Sequence, residues 1–315
     1  MEYGLLFPGQ GAQEVGMGQD FVEASPAARG LFEQADEILG FSLSKICFSG
    51  PLENLTATDI AQPAIYTCSL AALAAFEEKA GETIRPRMTA GLSLGEYTAM
   101  TAAGALSFAD GLRLVRLRGS AMQAASEALP SGMASVMGME RSDLEAVCAK
   151  VAAETGQICQ VANLNSPGQI VVSGQIGALD VLEPEAKEAG ARRVMRLQVA
   201  GAFHSEVMRP AAEQLEAALE QTDFQTPVCP IWQNATALPS NEPTELKANL
   251  IAQLCAPVLW QSSFAAMAET APTLHFLEPA PGRVLGTMAR KIAPGSTVVS
   301  LKDLPALEDL LQNQS

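Results

Sequence analysis

Apolar and polar positions alternate between two rhythms along this chain, and their order sets out the fold. Tyr3 to Phe7 is a short apolar run stopped by Pro8-Gly9-Gln10-Gly11, which predicts a buried strand feeding a glycine-rich turn. Residues 26–39 and 61–79 carry helical patterns, the second with Pro63 near its start. Arg87-Met88-Thr89-Ala90 is a short strand-like run, followed by Gly91-Leu92-Ser93-Leu94-Gly95-Glu96 and an alanine-rich stretch ending near Leu106. That succession reads strand, sharp turn, helix. Ser107-Phe108-Ala109-Asp110 has the spacing of a helix start, and beyond it Leu112, Val115, Gly119 and Met122 share one helical face.

Residues 132–199 have a rhythm of their own. Strands are expected at 132–139, 158–163, 169–173 and 193–199, and helices at 141–154 and 178–189, the latter despite Pro184. The order βαββαβ is the ferredoxin-like motif. The expected architecture is therefore α/β. A hydrolase-like core with a parallel sheet and a nucleophile elbow occupies residues 1–126 and 200–315, and a small ferredoxin-like α+β subdomain is inserted at 127–199. Further on, a helix is expected at 207–221, a buried strand at 272–277 containing His275, a turn at Ala280-Pro281-Gly282, a helix ending near Ile292, and a last strand at 298–301. His275 reads as a satisfied core histidine, and the tail from Gln312 to Ser315 as frayed.

Composition narrows the choice of chemistry. With 48% apolar and 17% charged residues over 315 positions, the chain is expected to be compact and globular. Its 35 acidic against 20 basic residues give a net charge of −15, which argues against nucleic acid and anionic membranes as partners. No run of about 18 apolar residues occurs, and the N-terminus lacks the basic start of a signal peptide. The six cysteines are widely spaced with no Cys-x-x-Cys pair, and there are only two histidines, so reduced buried thiols are expected and no metal site. A cytoplasmic location follows from these features.

Gly91-x-Ser93-x-Gly95 between a strand and a helix is the nucleophile-elbow pattern, in which glycines allow a bend tight enough to present a serine at the top of a sheet. A serine hydroxyl needs a base, and histidine suits that task near neutral pH. His204 lies on a loop between a strand and a helix, which makes it the candidate partner of Ser93. The backbone N–H groups of Gln10, in the glycine-rich turn, and of Leu94 are candidate oxyanion donors. On the helix after Ser107, Arg118 falls roughly 70° from the middle of the apolar stripe and Arg113 roughly 150° away. Arg113 is expected in solvent. Arg118 is expected to reach inward, where a guanidinium calls for an anionic partner.

Five segments, in order, resemble the signature segments of malonyl-CoA:acyl carrier protein transacylases. They are Phe7-Pro8-Gly9-Gln10-Gly11, Gly91-Leu92-Ser93-Leu94-Gly95-Glu96, Leu117-Arg118-Gly119, Gly201-Ala202-Phe203-His204-Ser205, and Gln253-Leu254 followed by Pro257-Val258 and Trp260. The resemblance spans essentially the whole chain and implies a ping-pong acyl transfer. Ser93 would take the malonyl group from coenzyme A as an ester, and the phosphopantetheine thiol of acyl carrier protein would collect it. It implies His204 as base, Arg118 as the clamp on the malonyl carboxylate, and Gln10 and Leu94 as the oxyanion hole. Gln253 would orient His204 through its main-chain carbonyl. No cofactor is implied beyond the coenzyme A thioester used as substrate.

Two positions depart from the family pattern. Leu92 stands where most members have His, and Ala280 stands where a glycine is usual. The Gly-Ala-Phe-His form around His204 resembles malonyl-selective relatives. An acidic carrier protein also calls for a local positive surface, for which Arg192, Arg193, Arg196, Arg283, Arg290 and Lys291 are candidates or else ordinary solvated charges. An acyl hydrolase on the same scaffold is the alternative reading, although it has no use for a carboxylate clamp. A non-catalytic carrier-protein docking subunit would not need Ser93, His204, Arg118 and Gln10 together.

Overall fold

The computed structural model describes residues 2–279 and 281–313. Two sheets organise them. The larger is built from β1 (Glu2–Phe7), β2 (Arg85–Gly91), β7 (Ile231–Trp232), β8 (Pro239–Ser240), β9 (His275–Glu278) and β10 (Thr297–Ser300). Its spatial order is β10-β9-β1-β2-β7-β8, parallel throughout except for the antiparallel β7–β8 pair at one edge. After Glu2 every residue of β1 is buried, as expected of a strand covered on both faces of a parallel sheet.

The smaller sheet contains β3 (Ser131–Met137), β4 (Cys159–Ser166), β5 (Gln169–Gln175) and β6 (Arg193–Arg196). The order β4-β5-β3-β6 with antiparallel pairing is the ferredoxin-like arrangement, and helices Arg141–Thr155 and Ile176–Glu188 supply its crossovers. Loops outside the small sheet are hydrogen-bonded to it. Val258 N–H donates to Ala162 O at 2.8 Å and Leu164 N–H to Val258 O at 2.9 Å, while the Ser173 hydroxyl donates to the Phe203 carbonyl.

Helix Thr58–Ala80 is buried on nearly every side, which explains why its apolar residues show no single stripe. It packs against helix Phe108–Ala128, whose N-cap Ser107 hydroxyl accepts from Asp110 N–H at 3.0 Å. Arg118 points into that packing and is 1% exposed, whereas Arg113 lies in solvent and pairs with Asp110 at 3.2 Å.

Several expectations need correction. His275 is exposed, because it opens β9 at the strand's entry; burial begins at Phe276. The last strand of the small sheet stops at Arg196 rather than 199, since only Leu197 N–H still reaches β3, at Met133 O (2.9 Å). The helix expected at 207–221 is a short 3₁₀ turn, Glu206–Met208, followed by helix Arg209–Gln221 with Pro210 in its first turn. Helices Pro243–Gln253, Trp260–Thr270 and Leu304–Gln312 are additional, and the last extends into the stretch expected to fray. Ala280, Gln314 and Ser315 lie outside the described residues, and with them part of the expected 280–282 turn and of the tail.

Candidate active site

Strands β1 and β2 run side by side and both end at the same rim of the sheet, where the chain turns at 8–11 and at 92–94. The crowding there dictates glycine. A Cβ on Gly91 would lie 1.8 Å from Gly95 C, one on Gly95 would lie 2.0 Å from Phe7 O, and one on Gly9 would lie 2.6 Å from Leu92 O. Leu92 N–H donates to Phe7 O at 2.9 Å, which pins the two turns together. Ser93 consequently sits at φ 54°, a left-handed conformation rare for a residue with a side chain, ahead of helix Gly95–Ala102.

The Ser93 hydroxyl meets two groups brought in from elsewhere. His204 Nε2 is 2.7 Å from Ser93 Oγ, and Arg118 Nη2 donates to the same oxygen at 2.9 Å. His204 also has a left-handed backbone, φ 56°, and is 3% exposed. Its Nδ1 lies 2.8 Å from the Gln253 carbonyl. A carbonyl can only accept, so Nδ1 carries the hydrogen and Nε2 offers its lone pair to the serine. Burial, reinforced by the Arg118 charge, pushes the His204 pKa down to about 3, so the ring is neutral at physiological pH.

Arg118 is held by amide oxygens rather than by a carboxylate. Nη1 donates to Gln62 Oε1 at 2.8 Å and Nη2 to Gln253 Oε1 at 2.9 Å. Its Nε–H is buried without a hydrogen-bond partner. Tyr97 lies beneath, with the guanidinium carbon 5.7 Å from the ring centroid.

These residues open into a cavity of about 260 Å³ between the two sheets. Ser93, Leu94, Gln10, Arg118 and His204 all line it, as do Asn163 and Asn165 at the end of β4 and the apolar Met122, Met133, Phe203 and Met288. Among the described residues the backbone N–H groups of Gln10 and Leu94 have no acceptor. All six residues singled out in the sequence thus converge here, with Gln253 behind His204 and Arg118. The structure adds three that sequence patterns did not mark: Gln62, Asn234 and Glu96. Asn234 Oδ1 accepts from Ser93 N–H at 2.6 Å. Glu96 is an acid in an otherwise apolar, alanine-rich stretch, which was the one available signal.

A profile of the acyl transferase domain family matches residues 5–291. The chain belongs to that family. As an acyl transferase domain it is 42% identical over 311 residues to the malonyl CoA-acyl carrier protein transacylase of Bacillus subtilis, covering 98% of this chain and 96% of that one. To the Escherichia coli K12 protein of the same name it is 34% identical, with 99% of each chain covered. Among solved structures, the malonyl CoA-acyl carrier protein transacylase of Coxiella burnetii superposes with a TM-score of 0.93 at 31% identity, covering 99% of this chain and 97% of that one. A malonyl-transacylase solved in complex with a type II PKS acyl-carrier protein superposes with a TM-score of 0.92 at 34% identity, covering 99% of this chain and 100% of that one.

Among the described residues no cluster of His, Cys, Asp or Glu could hold a metal ion, and no helix is long and apolar enough to cross a membrane.

Proposed function

We propose that this acyl transferase moves malonyl groups from coenzyme A to the phosphopantetheine thiol of acyl carrier protein, through an ester on Ser93. The observation that carries the reading is the buried Arg118 guanidinium, 2.9 Å from the Ser93 hydroxyl. A cation at that distance from a nucleophile is suited to an acyl group that bears a second, free carboxylate. A forked guanidinium and a carboxylate form two charge-assisted bonds. An acetyl group would leave the buried arginine without an anionic partner, which is how such a site disfavours it.

In the first half-reaction His204 Nε2 removes the Ser93 proton as Oγ attacks the thioester carbonyl. Charge develops on the carbonyl oxygen, and the N–H groups of Gln10 and Leu94 stabilise it; losing one such donor costs about 10²–10³ in rate. The C–S bond breaks, and the His204 proton passes to the leaving coenzyme A sulfur. In the second half-reaction the carrier's thiol gives its proton to His204, attacks the Ser93 ester, and the proton returns to Oγ. The Gln253 carbonyl keeps the Nδ1–H tautomer throughout and disperses the charge of the transient imidazolium. We place this chemistry in the cytoplasm, in keeping with the acidic composition and the free thiols.

The test is a comparison of acyl groups. Arg118→Ala lowers kcat/KM for malonyl-CoA by about 10²–10³-fold, the size expected when charged hydrogen bonds to a carboxylate are lost. Acetyl-CoA loading rises or stays level in the same variant. Equal losses for both thioesters would remove the clamp from the mechanism.

A further inference from the structure

Glu96 comes three residues after the nucleophile and touches nothing in the cavity, yet it is completely buried. A carboxyl group taken out of water needs donors. Its Oε2 accepts from Gln253 Nε2 at 2.7 Å and from Asn234 N–H at 3.2 Å. Those two residues hold the two halves of the catalytic pair. Gln253 accepts from His204 Nδ1 through its carbonyl, and its Nε2 also donates to the Ser93 carbonyl at 3.0 Å. Asn234 accepts the Ser93 N–H, and its Nδ2 donates to Gly91 O at 2.6 Å.

Such a tie has something to restrain. Ser93 and His204 both occupy left-handed backbone conformations, which persist only where the surroundings over-determine them. They also belong to segments 111 residues apart. We propose that Glu96 is a positioning residue whose buried carboxyl oxygen joins the loop at Asn234 and the helix end at Gln253 to the elbow, keeping Ser93 and His204 in hydrogen-bond contact. Both donors are N–H groups, so the position requires an acceptor of the right reach and not a charge. Burial raises the Glu96 pKa to about 7, so its carboxyl spends part of its time neutral near physiological pH, in keeping with a role as acceptor.

The inference rests on Ser93 as nucleophile and His204 as base. It is tested by separating reach from charge. Glu96→Asp keeps the charge and loses a methylene of reach; Glu96→Gln keeps the reach and an acceptor oxygen and loses the charge. The rate at which a neutral fluorophosphonate labels Ser93 is measured for each, together with malonyl-CoA turnover and melting temperature. Glu96→Asp labels about 10–100-fold more slowly, a partial loss of the roughly 10²–10⁴-fold that general-base help supplies, with KM for malonyl-CoA little changed. Glu96→Gln restores labelling to within about threefold of the parent while still melting lower, because its amide NH₂ is buried unpaired. A Glu96→Asp variant as fast as the parent, or a Glu96→Gln variant as slow as Glu96→Asp, overturns the proposal. If the parent labels at Ser93 but passes no malonyl to carrier protein, the transfer reading fails while this comparison still decides the role of Glu96.

Discussion

At Ser93, activation comes from a histidine whose base form is protected by its surroundings. Burial and the Arg118 charge hold His204 at about 3, far below its ordinary 6.5, so acid must reach well under pH 5 before the ring is protonated and lost as a base. In the Glu96→Gln variant, where the acid beside Gln253 no longer titrates, the fluorophosphonate labelling rate at pH 5 stays within about twofold of that at pH 8. A fall of about 30-fold with a midpoint near 6.5 would instead indicate an ordinary, solvated histidine. The residues nearest this chemistry were legible because each carries a local mark. Ser93 has its flanking glycines, His204 is one of two histidines, and Arg118 sits on the apolar edge of its helix. Asn234 and Gln62 carry no such mark, and Glu96 only its place after the elbow, since their significance lies in contacts with segments 56 to 157 residues distant. His275 was misjudged for a related reason. An apolar run shows that a strand is buried, but not where along the strand burial starts.

At the scale of elements, the elbow is a packing problem solved by removing side chains. Gly95→Ala would place a methyl 2.0 Å from the Phe7 carbonyl oxygen, a backbone atom that cannot step aside. We expect it to cost at least about 2 kcal/mol of stability, as overpacking against fixed atoms does. Gly30→Ala, in helix Pro26–Leu39 with open space around the added methyl, stabilises by about 0.5–1 kcal/mol. Urea unfolding of both variants checks the contrast, and a Gly95→Ala protein as stable as the parent would contradict it. Glu96 adds a pH-dependent contribution. Its folded pKa, about 7, lies above the ordinary value of 4.5, so the native state binds more protons between those values. Its contribution is full below pH 4.5 and is lost as pH rises through 7. The stability of the parent relative to Glu96→Gln therefore falls by about 3 kcal/mol from pH 4 to pH 8. A pH-independent difference would show that the group is not held as described. Many of the longer elements were readable from periodicity, while the helices Pro243–Gln253 and Trp260–Thr270 were not, because their buried faces are short and interrupted by polar residues.

Over the whole molecule, the cavity lies where the rim of the parallel sheet meets the ferredoxin-like sheet, and residues of both line it. We propose that residues 127–199 serve as a subdomain whose edge helps form the mouth. Val284 and Met288 line the cavity from the helix that also carries Arg290 and Lys291, next to Arg283. Arg193 is exposed on β6, whereas Arg196 already pairs with Asp180 at 2.7 Å. For an acidic partner approaching an acidic enzyme, we propose these cations near the cavity mouth as a positive surface. Arg193→Glu is expected to raise KM for carrier protein severalfold while leaving hydrolysis of the malonyl ester unchanged, and an unchanged KM at this and the neighbouring basic positions would dispose of the surface. The central claim is tested most directly by incubating the protein with radiolabelled malonyl-CoA and then with holo acyl carrier protein. Label that appears on the protein, is absent in Ser93→Ala and moves to the carrier is the predicted result. Label released chiefly as free malonate would contradict it.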